Sequence, residues 1–171
     1  LVVEACQLAA AQGADFSPYD YNNDGKVDWV VVLFAGLGQN DGGAANTIWP
    51  HQSDLSRTGK AIQLNGKTVD HYCILNEIDG VTKVRSGIGT FCHEFSHIMG
   101  LPDMYTTDGS LHKTLGMWDV MDYGLYNNDV NTPPNYSVYE RWFMGWMEPQ
   151  LLSSAANVTL PVSNTKAGCY I

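Results

Sequence analysis

Apolar residues recur along this chain in two rhythms, one continuous and one helical. Residues 27–35 run Val-Asp-Trp-Val-Val-Val-Leu-Phe-Ala, a nearly unbroken β-branched stretch that predicts a strand covered on both faces. Residues 69–78 form a second strand-like segment, closed by the Asp79-Gly80 turn. The helical rhythm predicts a helix over residues 1–12, stopped by Gly13, and another from residue 86 or 87 to residue 99. In the second of these Ile88, Phe91, Phe95 and Ile98 share one stripe while His93 and His97 point the opposite way, so one face is expected to be core and the other a site. Residues 137–147 predict a last helix and residues 157–162 a short strand. Between them, residues 103–132 are rich in Gly, Asp, Asn and Thr with little periodicity, and long irregular stretches of this kind usually serve function. The expected architecture is an α/β domain with a twisted sheet. Its upper part, residues 1–100, ends in a helix above a cleft; a looped lower part, residues 101–150, closes with a helix; a tail, residues 151–171, leads toward a further domain.

Composition narrows the class. A chain of 171 residues with 44% hydrophobic and 11% aromatic residues builds one sizeable core and is not a disordered segment. A net charge of −9 argues against a nucleic-acid partner, which needs a basic surface. The longest apolar run, residues 29–37, is too short to span a bilayer. The first segment carries an acidic and no basic residue and begins with Leu1, so it predicts a helix and not a signal peptide, and the chain is expected to be an excised or processed domain, taken as a monomer. Cys6, Cys73, Cys92 and Cys169 lack the C-x-x-C spacing of a structural zinc site, and their positions assign no disulfide pairing.

The chemistry concentrates in His93-Glu94-Phe95-Ser96-His97-Ile98-Met99-Gly100-Leu101-Pro102-Asp103. Two histidines four apart lie on one helix face, close enough to chelate one ion, and Gly100 lets the chain turn so that Asp103 returns as a third ligand. Two imidazoles and a carboxylate suit zinc, and three protein ligands leave one position open, as catalytic zinc sites do. Glu94, flanking the pair, is placed to be a general base without being a ligand, whereas Cys92 points away.

A second ion pattern precedes the first strand. Asp20, Asn22, Asp24 and Asp28 stand at positions 1, 3, 5 and 9 of a calcium-type loop, with Gly25 at position 6 and Lys26 offering its backbone carbonyl at position 7. Position 12 is Val31, so the usual bidentate glutamate is absent; the competing reading is an Asx-rich turn into a strand. His51, His71 and His112 lack partner spacing and are read as non-ligands, Glu77 as a surface or supporting residue, and Asn127, Asn128 and Asp129 as a turn.

HExxHxxGxxD is the metzincin zinc signature with aspartate in place of the third histidine. Together with Leu101-Pro102-Asp103-Met104-Tyr105 it resembles the M6 metallopeptidases, the immune inhibitor A-like family of secreted bacterial proteases. Gly116-Met117-Trp118-Asp119-Val120-Met121 resembles that family's GxWDxM segment, and Tyr139, Arg141, Trp142 and Gly145-Trp146 its following helix and exit. The likeness runs from about Asp15 to Pro149; Arg141 stands where a lysine is common, and Thr106 departs from the usual run.

The resemblance implies a metzincin-like zinc protease domain, Met121 as the Met-turn residue under the metal, and Tyr123 as a phenol beside the reacting carbonyl. Ordinary packing of Met121 and a half-buried Tyr123 with a backbone partner are the alternatives. It further implies a secreted or cell-surface zinc endopeptidase acting on protein or peptide substrates. The competing function is a binding or adhesin module that keeps the metal without turnover; a zinc hydrolase of another acyl bond is the third. Zn²⁺ and Ca²⁺ are the ions these patterns imply.

Overall fold

The structure, a computed structural model, describes residues 1–160. Helix α1, Val2–Ala11, buries Val2 and Cys6 and ends before Gly13, whose φ of 97° takes the chain out of the helix. Strand β1, Val30–Leu37, is followed by β2, His51–Asp54, then by the small hairpin of β3, Ile62–Leu64, and β4, Lys67–Val69. Strand β5, His71–Ile78, lies at the centre of a three-stranded sheet of order β1-β5-β2, parallel to β1 and antiparallel to β2. Residues 69–78, expected as one strand, are divided at Asp70 between the hairpin and the sheet.

Register explains the layers. Val30 pairs with Tyr72 and Val32 with Ile74, so these residues share one sheet face, and they pack with Val2, Cys6, Val27, Leu55 and Val69 into the main core. Val31 pairs with Cys73 and Leu33 with Leu75 on the other face, which looks toward the second helix, α2, Gly89–Ile98. There the expectation of a strand covered on both faces fails. Helix α2 lies over β5 and β2, so edge strand β1 is covered on one face only and Leu33 is 70% exposed.

Helix α2 is also turned relative to its apolar stripe. Ile88, just before it, is 58% exposed and Phe91 lies at the surface, whereas His93, Glu94 and Ser96 are buried. The stripe expected to be core instead gathers outside, with Phe95 edge-on to Trp29 at 5.0 Å and stacked on Phe91 at 5.5 Å. The polar face points inward because the lower part of the chain closes over it. A Cβ at Gly89 would collide with the carbonyl of Leu125, and the Gly89 N–H donates to the Val130 carbonyl at 2.7 Å, so the start of the helix sits directly on that lower segment.

Residues 103–132 are irregular as expected, with short 3₁₀ turns at Gly116–Trp118 and Tyr123–Tyr126. Helix α3, Val138–Phe143, is shorter than the 137–147 expected. Its start is specified by a capping box in which Ser137 and Glu140 satisfy each other's backbone N–H, a device worth about 1 kcal/mol. Gly145, at a φ of 71°, turns the chain away. No strand forms over residues 157–160, and the remainder of the strand expected at 157–162 lies outside the described residues. No helix among the described residues is long and apolar enough to cross a membrane.

Candidate metal centre and catalytic cleft

Helix α2 ends in a hydrogen-bond pattern that brings Asp103 to His93 and His97. The Leu101 N–H donates to the Ser96 carbonyl at 3.0 Å and the Gly100 N–H to the His97 carbonyl at 3.0 Å, a Schellman motif with Gly100 at a φ of 100°. The reversal carries Asp103 back over the helix. Its Oδ1 lies 3.2 Å from His93 Nε2 and 3.2 Å from His97 Nε2, and the two Nε2 atoms are 3.2 Å apart.

Second contacts settle which nitrogens are free. His93 Nδ1 donates to the Val120 carbonyl at 2.9 Å, and His97 Nδ1 to the Leu101 carbonyl at 2.8 Å. Each neutral imidazole therefore turns the lone pair of Nε2 to the centre, as histidine ligands do when a carbonyl fixes their tautomer. Three acceptors face one point, and among the described residues Asp103 Oδ1 is buried without a hydrogen-bond donor. A cation meets that demand. Bonds of about 2.0–2.1 Å in a tetrahedron put neighbouring ligand atoms about 3.4 Å apart, close to the spacing here, so the donor set fits zinc. Among the described residues these three side chains are the one group of His, Cys, Asp or Glu close enough to hold a metal.

Burial pushes the Asp103 carboxyl up, but when the imidazoles carry a second proton on Nε2 they, together with the Tyr105 hydroxyl, more than offset this and hold it well below the usual carboxylate range. Tyr105 is a residue the sequence reading left without a role. Its hydroxyl is near enough to Asp103 to help lower that carboxyl's pKa, and its ring lies nearly parallel to that of His93, with centroids 6.2 Å apart. Position alone, two residues beyond Asp103, was the available signal.

Glu94 is 8% exposed and lines a cavity of about 280 Å³ beside His93, walled by Trp49, Tyr105, Tyr123 and Tyr126. Burial raises its pKa, and the two imidazoles and the backbone N–H of Gln52 on β2 draw it partly back. Tyr123 borders the same cavity, half exposed, with its ring centroid 6.0 Å from that of Tyr105. Met121 is fully buried with Leu101 and Val120, against Cys92, Met104, Tyr136 and Met144, and its carbonyl accepts from the Met104 N–H at 2.8 Å. The loop that bears it thus runs beneath the cluster of His93, His97 and Asp103.

The loop of Asp20, Asn22, Asp24, Lys26 and Asp28 is not drawn around a single point. Asp20 accepts from the N–H groups of Asp24 and Gly25, both at 3.0 Å, and from Lys67 Nζ at 2.6 Å. Asp28 accepts from the Tyr21 N–H at 3.1 Å. An ammonium group therefore neutralises the carboxylate at the first loop position. His51 lies on β2 and bonds the Tyr72 hydroxyl at 3.1 Å, not in an exposed loop, while His71 Nδ1 bonds Asp54 at 2.7 Å and His112 is exposed. Glu77 is exposed and accepts from the Gly36 N–H at 3.3 Å. Cys6, Cys73 and Cys92 are unpaired with one another; Cys169 lies outside the described residues.

The sequence profile of a family described as the catalytic domain of immune inhibitor A peptidase M6 matches residues 6–147. Immune inhibitor A of Bacillus thuringiensis subsp. alesti is 29% identical over 164 residues, covering 84% of this chain and 24% of that protein. Pre-pro-metalloprotease PrtV of Vibrio cholerae serotype O1 is 24% identical over 143 residues, covering 74% of this chain and 15% of that protein. The chain thus spans about a quarter or less of the length of these relatives.

Proposed function

Since the chain belongs to the immune inhibitor A peptidase M6 family of metallopeptidases, we propose that it is the catalytic domain of a secreted zinc endopeptidase. The observation that carries this reading is the triangle of His93 Nε2, His97 Nε2 and Asp103 Oδ1, with both imidazole tautomers held by carbonyls and Glu94 buried at its flank. Zinc held by these three residues would supply a Lewis acid that polarises the scissile carbonyl and acidifies a water molecule.

The chain's own residues supply the rest. Glu94 is the general base, taking the proton of the attacking water and returning it to the leaving amine. Tyr123, at the rim of the same cavity, donates its phenol hydrogen to the oxyanion that develops. Met121 is the Met-turn residue, a buried floor for the ligands. Tyr105 orients Asp103 and keeps it ionised. Trp49, Tyr123 and Tyr126 exclude water from one side of the cleft and offer aromatic surface to a substrate side chain. Residues 1–100 and 101–150 are the upper and lower parts of this catalytic unit, and the proposed location is the cell exterior or surface; the Vibrio relative is named as a precursor.

Calcium at the 20–28 loop is a second, separate proposal. Asn22, Asp24 and Asp28 border one groove, and an ion there has to displace Lys67 from Asp20. The test of the main reading is cleavage of a mixed peptide library by the propeptide-free chain, with and without a zinc chelator. Chelator-sensitive cleavage at internal peptide bonds is expected; a folded, zinc-loaded chain that cuts no peptide moves the reading to a metal-containing binding module.

A further inference from the structure

Below the ligand set the chain buries a pair of carboxyls that the proposed chemistry does not use. Asp119, in the loop that carries Met121, and Glu140, in α3, are both fully buried. Each uses one oxygen on a backbone donor. Asp119 Oδ1 accepts from the Met121 N–H at 2.7 Å, and Glu140 Oε2 from the Ser137 N–H at 2.6 Å. The other oxygen of each, Asp119 Oδ2 and Glu140 Oε1, is buried with no donor among the described residues, and the two carboxyls lie within hydrogen-bonding reach of one another. Two ionised carboxylates in that position repel and leave two acceptors unsatisfied, whereas one proton between them removes a charge and satisfies both oxygens.

The loop fastened in this way is the one that holds His93. The Asp119 carbonyl accepts from the N–H groups of Asp122 and Gly124, at 3.2 and 3.0 Å, and the next residue, Val120, presents the carbonyl that fixes the His93 tautomer. We propose that Asp119 and Glu140 share a single proton that ties α3 to the loop beneath His93, which makes Glu140 a positioning residue for the metal site. The last step rests on the zinc reading; the proton-sharing step does not. In agreement, burial above all, with Asp119 adding to it, pushes the Glu140 pKa up to about 7, against the pull of the Ser137 contacts. The other titratable neighbours are Tyr136, whose phenol is raised by its own burial and bonds Ser96, and Arg141, next along α3.

A carboxyl whose folded pKa is raised gives stability that is complete below its unfolded pKa and is lost as pH rises through the folded value. The experiment compares melting temperatures of the metal-free parent chain and Glu140→Gln from pH 5 to pH 9. The amide donates to Asp119 without titrating, so the parent is expected to lose stability relative to Glu140→Gln across this range, levelling above neutrality. Parallel curves overturn the proposal. So does a calcium-dependent rise of the parent's melting temperature at pH 8 that Glu140→Gln lacks, because the pair then holds a cation and not a proton.

Zinc affinity, read by competition with a chromogenic chelator, tests the positioning step. Glu140→Gln should retain the parent's affinity while Glu140→Ala loses about 10- to 100-fold, the usual cost of removing support behind a ligand. Equal affinity in all three refutes positioning and leaves the shared proton standing; a parent that binds no zinc refutes the zinc reading and leaves the melting curves interpretable. Should Glu140→Gln fail to fold, the carbonyl stretch of a protonated carboxyl in the parent, present at pH 6 and absent from Asp119→Asn, reports the shared proton directly. Its absence from the parent overturns the proposal.

Discussion

His93 and Val120 are 27 residues apart in sequence and joined by a 2.9 Å hydrogen bond from the imidazole Nδ1 to the backbone carbonyl. One bond therefore sets the tautomer of His93 and ties helix α2 to the irregular segment below it. His97 is fixed from its own helix exit, through the Leu101 carbonyl at 2.8 Å. The two imidazoles are held by different parts of the chain, His93 by the lower segment and His97 by the exit of its own helix.

Glu94 separates chemistry from metal binding. Because it lies beside the ligand triangle and not in it, Glu94→Gln should leave zinc stoichiometry and melting temperature near the parent's. Peptide cleavage should fall by about 10²- to 10⁴-fold, the range for loss of a general acid-base group. Elemental analysis and a quenched peptide substrate read the two quantities; unchanged cleavage refutes the assigned base.

Tyr105 tests the proposed metal site through Asp103. Tyr105→Phe keeps the ring beside His93 and removes only the hydroxyl, so the expected result is a folded chain whose zinc affinity is lower by about 10- to 100-fold. Competition with a chromogenic chelator measures it. An affinity equal to the parent's shows that the hydroxyl does not support the ligand.

Asp54 provides an acid-side test of the sheet edge. The hydrogen bond from His71, with help from Arg57, outweighs burial and lowers its pKa. A depressed folded pKa means stability that is present above the unfolded value of about 3.9 and is lost as pH falls through the folded one. Asp54→Asn should therefore melt below the parent at pH 6, with the gap closing as pH falls below about 4. A gap independent of pH between 2 and 6 shows that the carboxylate charge is not what stabilises this edge.

Lys67 provides the test of the calcium proposal for the 20–28 loop. Its ammonium sits 2.6 Å from Asp20 and competes with any cation there. With zinc kept saturating, millimolar calcium should raise the melting temperature of the parent slightly and of Lys67→Met more. The physical basis is mass action on the folded state. No rise in either variant shows a turn fastened by Lys67.

What could be read from the sequence was local. His93 and His97 share a helix face by a four-residue spacing, Gly100 supplies the positive φ that a Schellman exit needs, and Asp103 follows within reach, so the cluster of His93, His97 and Asp103 with Glu94 beside it was legible from one short segment. The approximate positions of β1, β5 and helix α2 followed from the apolar pattern in the same way, whereas β2 and strand β3 of the hairpin carried no such signal. The inward or outward sense of each apolar stripe did not, because a period gives the angle between two faces and not which one meets the rest of the chain. Only the tertiary structure turned the Phe91 face outward, left Leu33 exposed on an edge strand, and pressed the polar face of α2 against the lower segment. The same holds for the partners of the site. Tyr105, Val120 and the Asp119–Glu140 pair come from irregular backbone or from a distant helix, where no repeat marks them and only the folded chain brings the atoms together.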